Sequence, residues 1–226
     1  MAREIDGAVA VITMHRPHNL LDPALTQALL DALAWVPTTG SHAVILRSGL
    51  RHFSAAVIGR PGADIPVDEA EGHIAGYTIL CDWSARDLQE EEMAQGLGPA
   101  KGKDSATTLG PWLVTPDELA DRRTGKGFDL TATTSVNGEL YSSGNWSTIY
   151  WSFAQAISYA SRGTRLRTGD VIGSGTIGTG CILELSRVHD AAKYPWLKAG
   201  DQVRISVDGL GAIESTIQPP VPVLPL

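Results

Sequence analysis

Apolar and polar positions along the chain fall into short blocks, and most blocks carry the period of strands rather than helices. The run Gly76-Tyr77-Thr78-Ile79-Leu80 is apolar, β-branched and aromatic, as a buried strand is, and it gives way to polar side chains at Asp82. Further on, the β-branched stretch 129–136 and the segment Glu139-Leu140-Tyr141 flank Asn137-Gly138, a pair suited to positive φ and so to a two-residue hairpin. Gly169-Asp170 and Gly200-Asp201 each precede a β-branched run, and each predicts a turn entering a strand. Helical patterns are fewer. Residues 64–73 predict a helix with Pro66 in its first turn, and Asp68, Glu69 and Glu71 as a solvated face. Residues 88–95 predict a second helix, with Glu90, Glu91 and Glu92 facing water, and residues 149–159 a third. The tail, 219–226, is rich in proline and predicts a surface extension.

The first 55 residues have their own pattern. A strand-like run, Val9-Ala10-Val11-Ile12-Thr13-Met14, is broken by Arg16-Pro17-His18-Asn19. Asp22-Pro23 then offers a cap and a proline at the first helical position, and Leu25, Ala28, Leu29, Ala32 and Leu33 recur at helical spacing. After the stop at 37–40, Ala43-Val44-Ile45-Leu46 reads as a second strand, giving a β-α-β order.

Composition narrows the class. The chain has 226 residues, 43% hydrophobic and 19% charged, which suits a soluble globular protein of one large domain with a small appendage. Its net charge of −7 argues against nucleic acid or an anionic membrane as the main partner. No segment reaches transmembrane length and the N-terminus lacks the apolar core of a signal peptide, so a cytoplasmic protein is expected. Cys81 and Cys181 lie far apart in apolar, strand-like contexts, which predicts buried free thiols rather than a metal pair. His15, His18, His42 and His52 show no paired spacing on one helix face that would suggest zinc.

Two stretches carry candidate chemistry. The strand that starts at Gly76 ends in Cys81-Asp82-Trp83-Ser84-Ala85-Arg86-Asp87-Leu88-Gln89, which sets a carboxylate, a guanidinium and an amide at its tip. A structural Asp–Arg pair would satisfy these groups, and so would a ligand. The loop that follows, Gly98-Pro99-Ala100-Lys101-Gly102-Lys103, pairs glycines with lysines and allows close backbone approach; its spacing is not that of a phosphate-binding P-loop.

Together these stretches resemble the fumarylacetoacetate hydrolase family, whose hallmark is a strand ending in an Asp-Trp-Ser-Ala-Arg-Asp-like run, a Gly-Lys loop and a Gly-Pro-Trp turn, here Gly110-Pro111-Trp112. Val136-Asn137-Gly138-Glu139, Gly144-Asn145-Trp146-Ser147-Thr148 and Gly169-Asp170-Val171-Ile172-Gly173-Ser174-Gly175-Thr176 extend the resemblance. It implies an α+β fold, a mixed β-roll over residues 56–226 that forms the catalytic domain. It also implies an enzyme, a hydrolase or lyase, that cleaves a C–C bond in a β-diketo substrate or decarboxylates an enolisable keto acid. By the same resemblance Asp82, Lys103 and Glu184 are catalytic, and Gln89, Thr176 and Arg86 bind substrate. Mg2+ or Mn2+ would be held by Asp82 and a Glu-x-Glu pair. The partner would be a small keto acid and the assembly a homodimer or larger. Residues 1–55 are similar to the opening of a crotonase domain, an appendage of β-α-β form.

The sequence departs from the pattern at one place that matters. The two glutamates would fall at Arg51 and Phe53, neither of which binds a cation. The asparagine usual before the aspartate is Cys81, and the segment that supplies the catalytic histidine is not recognisable. Two further readings therefore stand beside the metal hydrolase: a metal-free cyclase or isomerase on the same fold, with Lys103 stabilising an enolate and Asp82 as acid or base, and a non-catalytic partner subunit. For Glu184 the alternative role is a strand residue facing solvent.

Overall fold

The structure is a computed structural model. It describes residues 54–96 and 98–220 in full, and the backbone of three strands before them. The chain divides into two compact units, Met1–Leu50 and Arg51–Leu226.

In the first unit, β1 (Ala2–Asp6) pairs antiparallel with β2 (Val9–Met14), which pairs parallel with β3 (Ala43–Ser48). Both strands expected from the sequence are there, and β1 is an addition to them. The helix expected after Asp22, the four histidines, the 16–19 stretch, Arg51 and Phe53 lie outside the described residues, as do Leu97 and residues 221–226 of the tail.

The second unit opens with β4 (Ala55–Ile58), β5 (Gly62–Ala63), β6 (Ile74–Thr78) and β7 (Leu80–Asp82), followed by helix α1 (Arg86–Ala94) and β8 (Thr107–Leu109). Short strands β9 (Arg123–Thr124) and β10 (Gly127–Phe128) lead to the hairpin of β11 (Thr131–Val136) and β12 (Glu139–Asn145). Helix α2 (Phe153–Ala160), β13 (Arg165–Leu166), β14 (Val171–Gly173), helix α3 (Ile182–Val188), β15 (Gln202–Val207) and β16 (Gly211–Thr216) complete it. Strands order as β12-β11-β15-β16 in one sheet and β14-β4-β6 in another, while β7 leaves that second sheet and pairs with β8. The described strands of this unit pair antiparallel. Among the described residues no helix is long and apolar enough to cross a membrane.

The sequence signals that rest on backbone geometry reappear as drawn. Asn137 and Gly138 take φ of 51° and 83° and close the β11–β12 hairpin, the mirror-image turn that matches strand twist. Asn137 also ties the turn to its neighbour: its Nδ2 donates to Asp201 Oδ1 at 3.0 Å and its Oδ1 accepts from Gln202 N at 2.9 Å. Gly169 and Gly200 both have positive φ ahead of β14 and β15.

Aromatic packing centres the core on β6. Tyr77 meets Phe128 and Trp146 edge-on, each at 5.3 Å between centroids, and Trp146 meets Phe153 at 5.8 Å. Such pairs add about 0.5–1.5 kcal/mol each beyond area burial. Burial pushes the Tyr77 hydroxyl up to about 12.

Three expected elements differ. Residues 64–73 form turns and a 3-10 helix at Ala70–His73 instead of an α-helix. The first amides of that segment serve tertiary partners, with Asp64 N donating to Ser161 O and Ile65 N to Ser161 Oγ, and Asp64 has φ of 50°. Glu71 is no solvated bystander: it pairs twice with Arg123. The 149–159 helix begins later, at Phe153, because Ser152 and Gln155 form a reciprocal capping box there. Residues 182–185, expected as a strand, open helix α3, which places Glu184 in a helical first turn and half-buried Cys181 at its cap.

Candidate active site

Strand pairing brings three segments to one end of the β14-β4-β6 sheet. Ala55, the first residue of β4, faces Thr78, the last of β6, and also Gly173, the last of β14. Ser54, the exit from β6 toward Asp82, and the loop from Ser174 to Thr176 therefore share an edge. Ser54 N donates to Ser174 Oγ at 3.0 Å and Ser174 N to Ser54 O at 2.8 Å, which locks that edge.

From this edge the chain runs on as β7. Ile79 and Cys81 are buried and Asp82 is exposed, so the strand turns its last side chain to solvent. Trp83 Nε1 donates to Thr108 Oγ1 at 2.8 Å and pins the turn to β8. Asp82 Oδ2 accepts from Lys103 Nζ at 2.6 Å, with 47% of the Asp82 side chain and 28% of the Lys103 side chain exposed. At that exposure an ion pair contributes about 0.2–1 kcal/mol, too little for stability to explain it.

Helix α1 begins at Arg86 and sets Arg86 and Gln89 on one face. Arg86 NH1 donates to Gln89 Oε1 at 2.5 Å and its NH2 to Cys181 Sγ at 3.1 Å. The second contact carries the helix to the segment that follows Thr176. Thr176 itself is half-buried, next to Gly175 with φ of 83°. Glu184 Oε2 accepts from Thr179 N at 3.0 Å, which ties it to the backbone of the loop just before its own helix.

The loop bearing Lys103 is fastened to α1 by a residue the sequence pattern assigns to water. Glu92 accepts from three successive amides, Ala100 at 2.8 Å, Lys101 at 2.6 Å and Gly102 at 3.2 Å. These bonds, the one from Ala100 foremost, hold its carboxyl below the usual glutamate value. Gly102 also packs flat on α1: a Cβ there would come within 2.9 Å of Gln89 N and Cβ, so only glycine fits. Its carbonyl accepts from Ala85 N at 2.9 Å. Lys101 points away and pairs with Asp104 at 2.8 Å.

Sequence reasoning missed Glu92, Cys181, Ser54 and Ser174. Nothing local marks them, since each acts on a segment distant in sequence. The sequence-predicted residues divide accordingly: Asp82 with Lys103, and Arg86 with Gln89, are brought into contact, while Thr176 lies in the loop before Cys181 and Glu184 in the helix after it, Cys181 being the residue that meets Arg86. An open polar cleft of about 540 Å3, lined by Asp121, Arg122, Arg123, Thr124, Asp129 and Ser147, contains none of them. Arg123 there is committed to Glu71 and stacks over Phe128.

Comparison with known proteins decides the lineage. Residues 55–218 match the family described as fumarylacetoacetate (FAA) hydrolase, C-terminal. The chain belongs to the fumarylacetoacetate hydrolase family. A curated Burkholderia multivorans protein, provisionally named a hydrolase, is 37% identical over 156 residues, 69% of this chain and 51% of its own length. The chain thus spans about half the length of the curated relatives it matches. Among solved structures, the fumarylacetoacetate hydrolase of Exiguobacterium antarcticum superposes with a TM-score of 0.60 at 30% identity, covering 76% of this chain and 56% of that one. A 5-carboxymethyl-2-hydroxymuconate delta-isomerase from Mycobacterium smegmatis gives 0.58 at 29% identity, covering 76% and 59%. The family neighbours thus carry both hydrolase and isomerase names.

The divalent ion that the family resemblance implies does not fit the side chains at this tip. Asp82 presents one carboxylate, and an ammonium already bonds one of its oxygens. The Cys81 thiol beside it is pushed up to about 12 by burial, with the Asp82 charge adding to the rise, and sulfur is a soft donor where Mg2+ and Mn2+ favour oxygen. Among the described residues no group of three His, Cys, Asp or Glu side chains could hold a metal ion. Arg51 and Phe53, at the positions expected for the glutamates, carry side chains that do not ligate cations.

Proposed function

We propose that residues 56–226 form the catalytic domain of an enzyme acting on an enolisable keto acid or β-diketo acid, by C–C bond hydrolysis or decarboxylation. The observation that carries this reading is the Asp82–Lys103 contact at an exposed strand tip, a carboxylate and an ammonium 2.6 Å apart. In hydrolysis Asp82 would take a proton from water as the water oxygen bonds to the carbonyl carbon; the C–C bond then breaks, its electron pair passes into the enolate of the leaving fragment, and that fragment takes the proton back at carbon. Lys103 carries the charge that develops on the enolate oxygen. In decarboxylation the same enolate forms as CO2 leaves. Arg86 and Gln89 would bind the carboxylate end, with Thr176, and Glu184 would hold the loop that carries Thr176 in place. The names of the family neighbours support this substrate class.

A second reading is a metal-free isomerase or cyclase, which the direct contact of Asp82 with Lys103 also favours. Both readings are tested by offering acetylpyruvate, a β-diketo acid, beside pyruvate and oxaloacetate, with and without Mg2+, and following cleavage to acetate and pyruvate, deuterium exchange and CO2 release. Asp82→Asn and Lys103→Met should each lower the rates by about 10²-fold or more. If the unmodified chain neither cleaves, exchanges nor decarboxylates any of the three, catalysis on keto acids of this class is wrong, and a non-catalytic partner subunit takes its place.

A further inference from the structure

The loop before β8 is fixed more firmly than an exposed ion pair requires. Glu92 gathers three amides of residues 100–102, the Gly102 carbonyl is tied to Ala85, and Lys103 N donates to Ala100 O at 3.1 Å. Helix α1 and the turn after Asp82 thus hold the lysine backbone from two sides. An ammonium has three N–H donors; among the described residues Asp82 takes one of them, which leaves two for a ligand. Anything bound at this tip meets a positive charge already installed, and a divalent ion on Asp82 would have to sit against it.

We propose that Lys103 is the resident cation of this site, and that the chain binds the paired oxygens of a 2-oxo carboxylate, or of oxalate as its mimic, without a divalent metal. The proposal rests on the keto-acid reading above and specifies its ligand chemistry. A fixed ammonium holding two oxygens of one anion supplies the charge neutralisation that a metal would give, and Asp82 orients it as counter-ion.

The test is calorimetric titration of the full chain with oxalate, after metal stripping and in excess EDTA, repeated with Mg2+ or Mn2+ in place of the chelator. Saturable binding in EDTA is expected, changing by no more than about twofold when metal is supplied. Lys103→Met should weaken it by about tenfold or more, and Lys103→Arg, which keeps the charge, should recover part of the loss. Near-ultraviolet circular dichroism of the Tyr77–Trp146 cluster verifies that each variant is folded. Binding that appears only with metal overturns this proposal and leaves the keto-acid reading standing. Equal binding by folded Lys103→Met also overturns it. No binding with or without metal removes both.

Discussion

At the scale of single residues, two buried side-chain polar atoms stand out among the described residues. Thr134 Oγ1 and Trp146 Nε1 are buried and have no hydrogen-bond partner. The two positions should respond to mutation in opposite ways. Thr134→Val removes a hydroxyl that gains nothing from the fold and keeps its shape, so stability should hold or rise slightly. Trp146→Ala empties a site that is 1% exposed, beside Tyr77, Phe128 and Phe153, and should cost about 3–5 kcal/mol. Urea unfolding of both variants measures the contrast; a destabilised Thr134→Val would mean that the hydroxyl has a partner in solution. Asp82 and Lys103 belong to another category, since their exposed pairing adds little to stability and their proximity is what a ligand would use.

At the scale of elements, the join between helix α1 and the 98–103 loop depends on pH through one carboxylate. Glu92 has its folded-state pKa lowered by amide bonds, first among them that from Ala100, so its contribution is fully present above the usual glutamate value of 4.5. As pH falls through the lowered folded-state value, the carboxyl takes a proton, the three bonds weaken and the loop loosens. The amide proton shifts of Ala100, Lys101 and Gly102 should therefore titrate together, with a midpoint below 4.5 that vanishes in Glu92→Gln. Separate midpoints at the usual value would show that the latch does not form. This join also marks how far the sequence could be read. Local geometry was legible: Asn137-Gly138 announced its hairpin and the 76–82 run its strand, while the helix expected from residue 88 starts two residues earlier and so takes in Arg86. Glu92 was illegible because three glutamates in a row look alike, and the one with a structural role is chosen by amides eight to ten residues further on. Glu184 was misplaced because a short apolar run around it suits strand and helix equally, and length alone could not decide.

At the scale of the whole molecule, a ligand that binds only the folded chain must raise its stability. Oxalate at about one hundred times its dissociation constant should add about 2.7 kcal/mol, a rise in melting temperature of about 5–10 °C for a unit of this size, with EDTA present throughout. Differential scanning calorimetry reads this directly; a shift that needs Mg2+ would contradict a resident ammonium. The β6–β7 strand gives that coupling a mechanical form. It pairs with β4 up to Thr78, is gripped at Ile79 O by Gly110 N, and then pairs with β8 as far as Asp82. Tyr77 in the aromatic core and Asp82 at the tip are thus only five residues apart, on successive strands held by pairing on either side of Ile79. A substitution that tilts the tyrosine swings the carboxylate as well. Variants of the core should therefore lose ligand affinity before they lose the fold, and evolution could not retune the chemistry at this tip without also renegotiating the packing at its root.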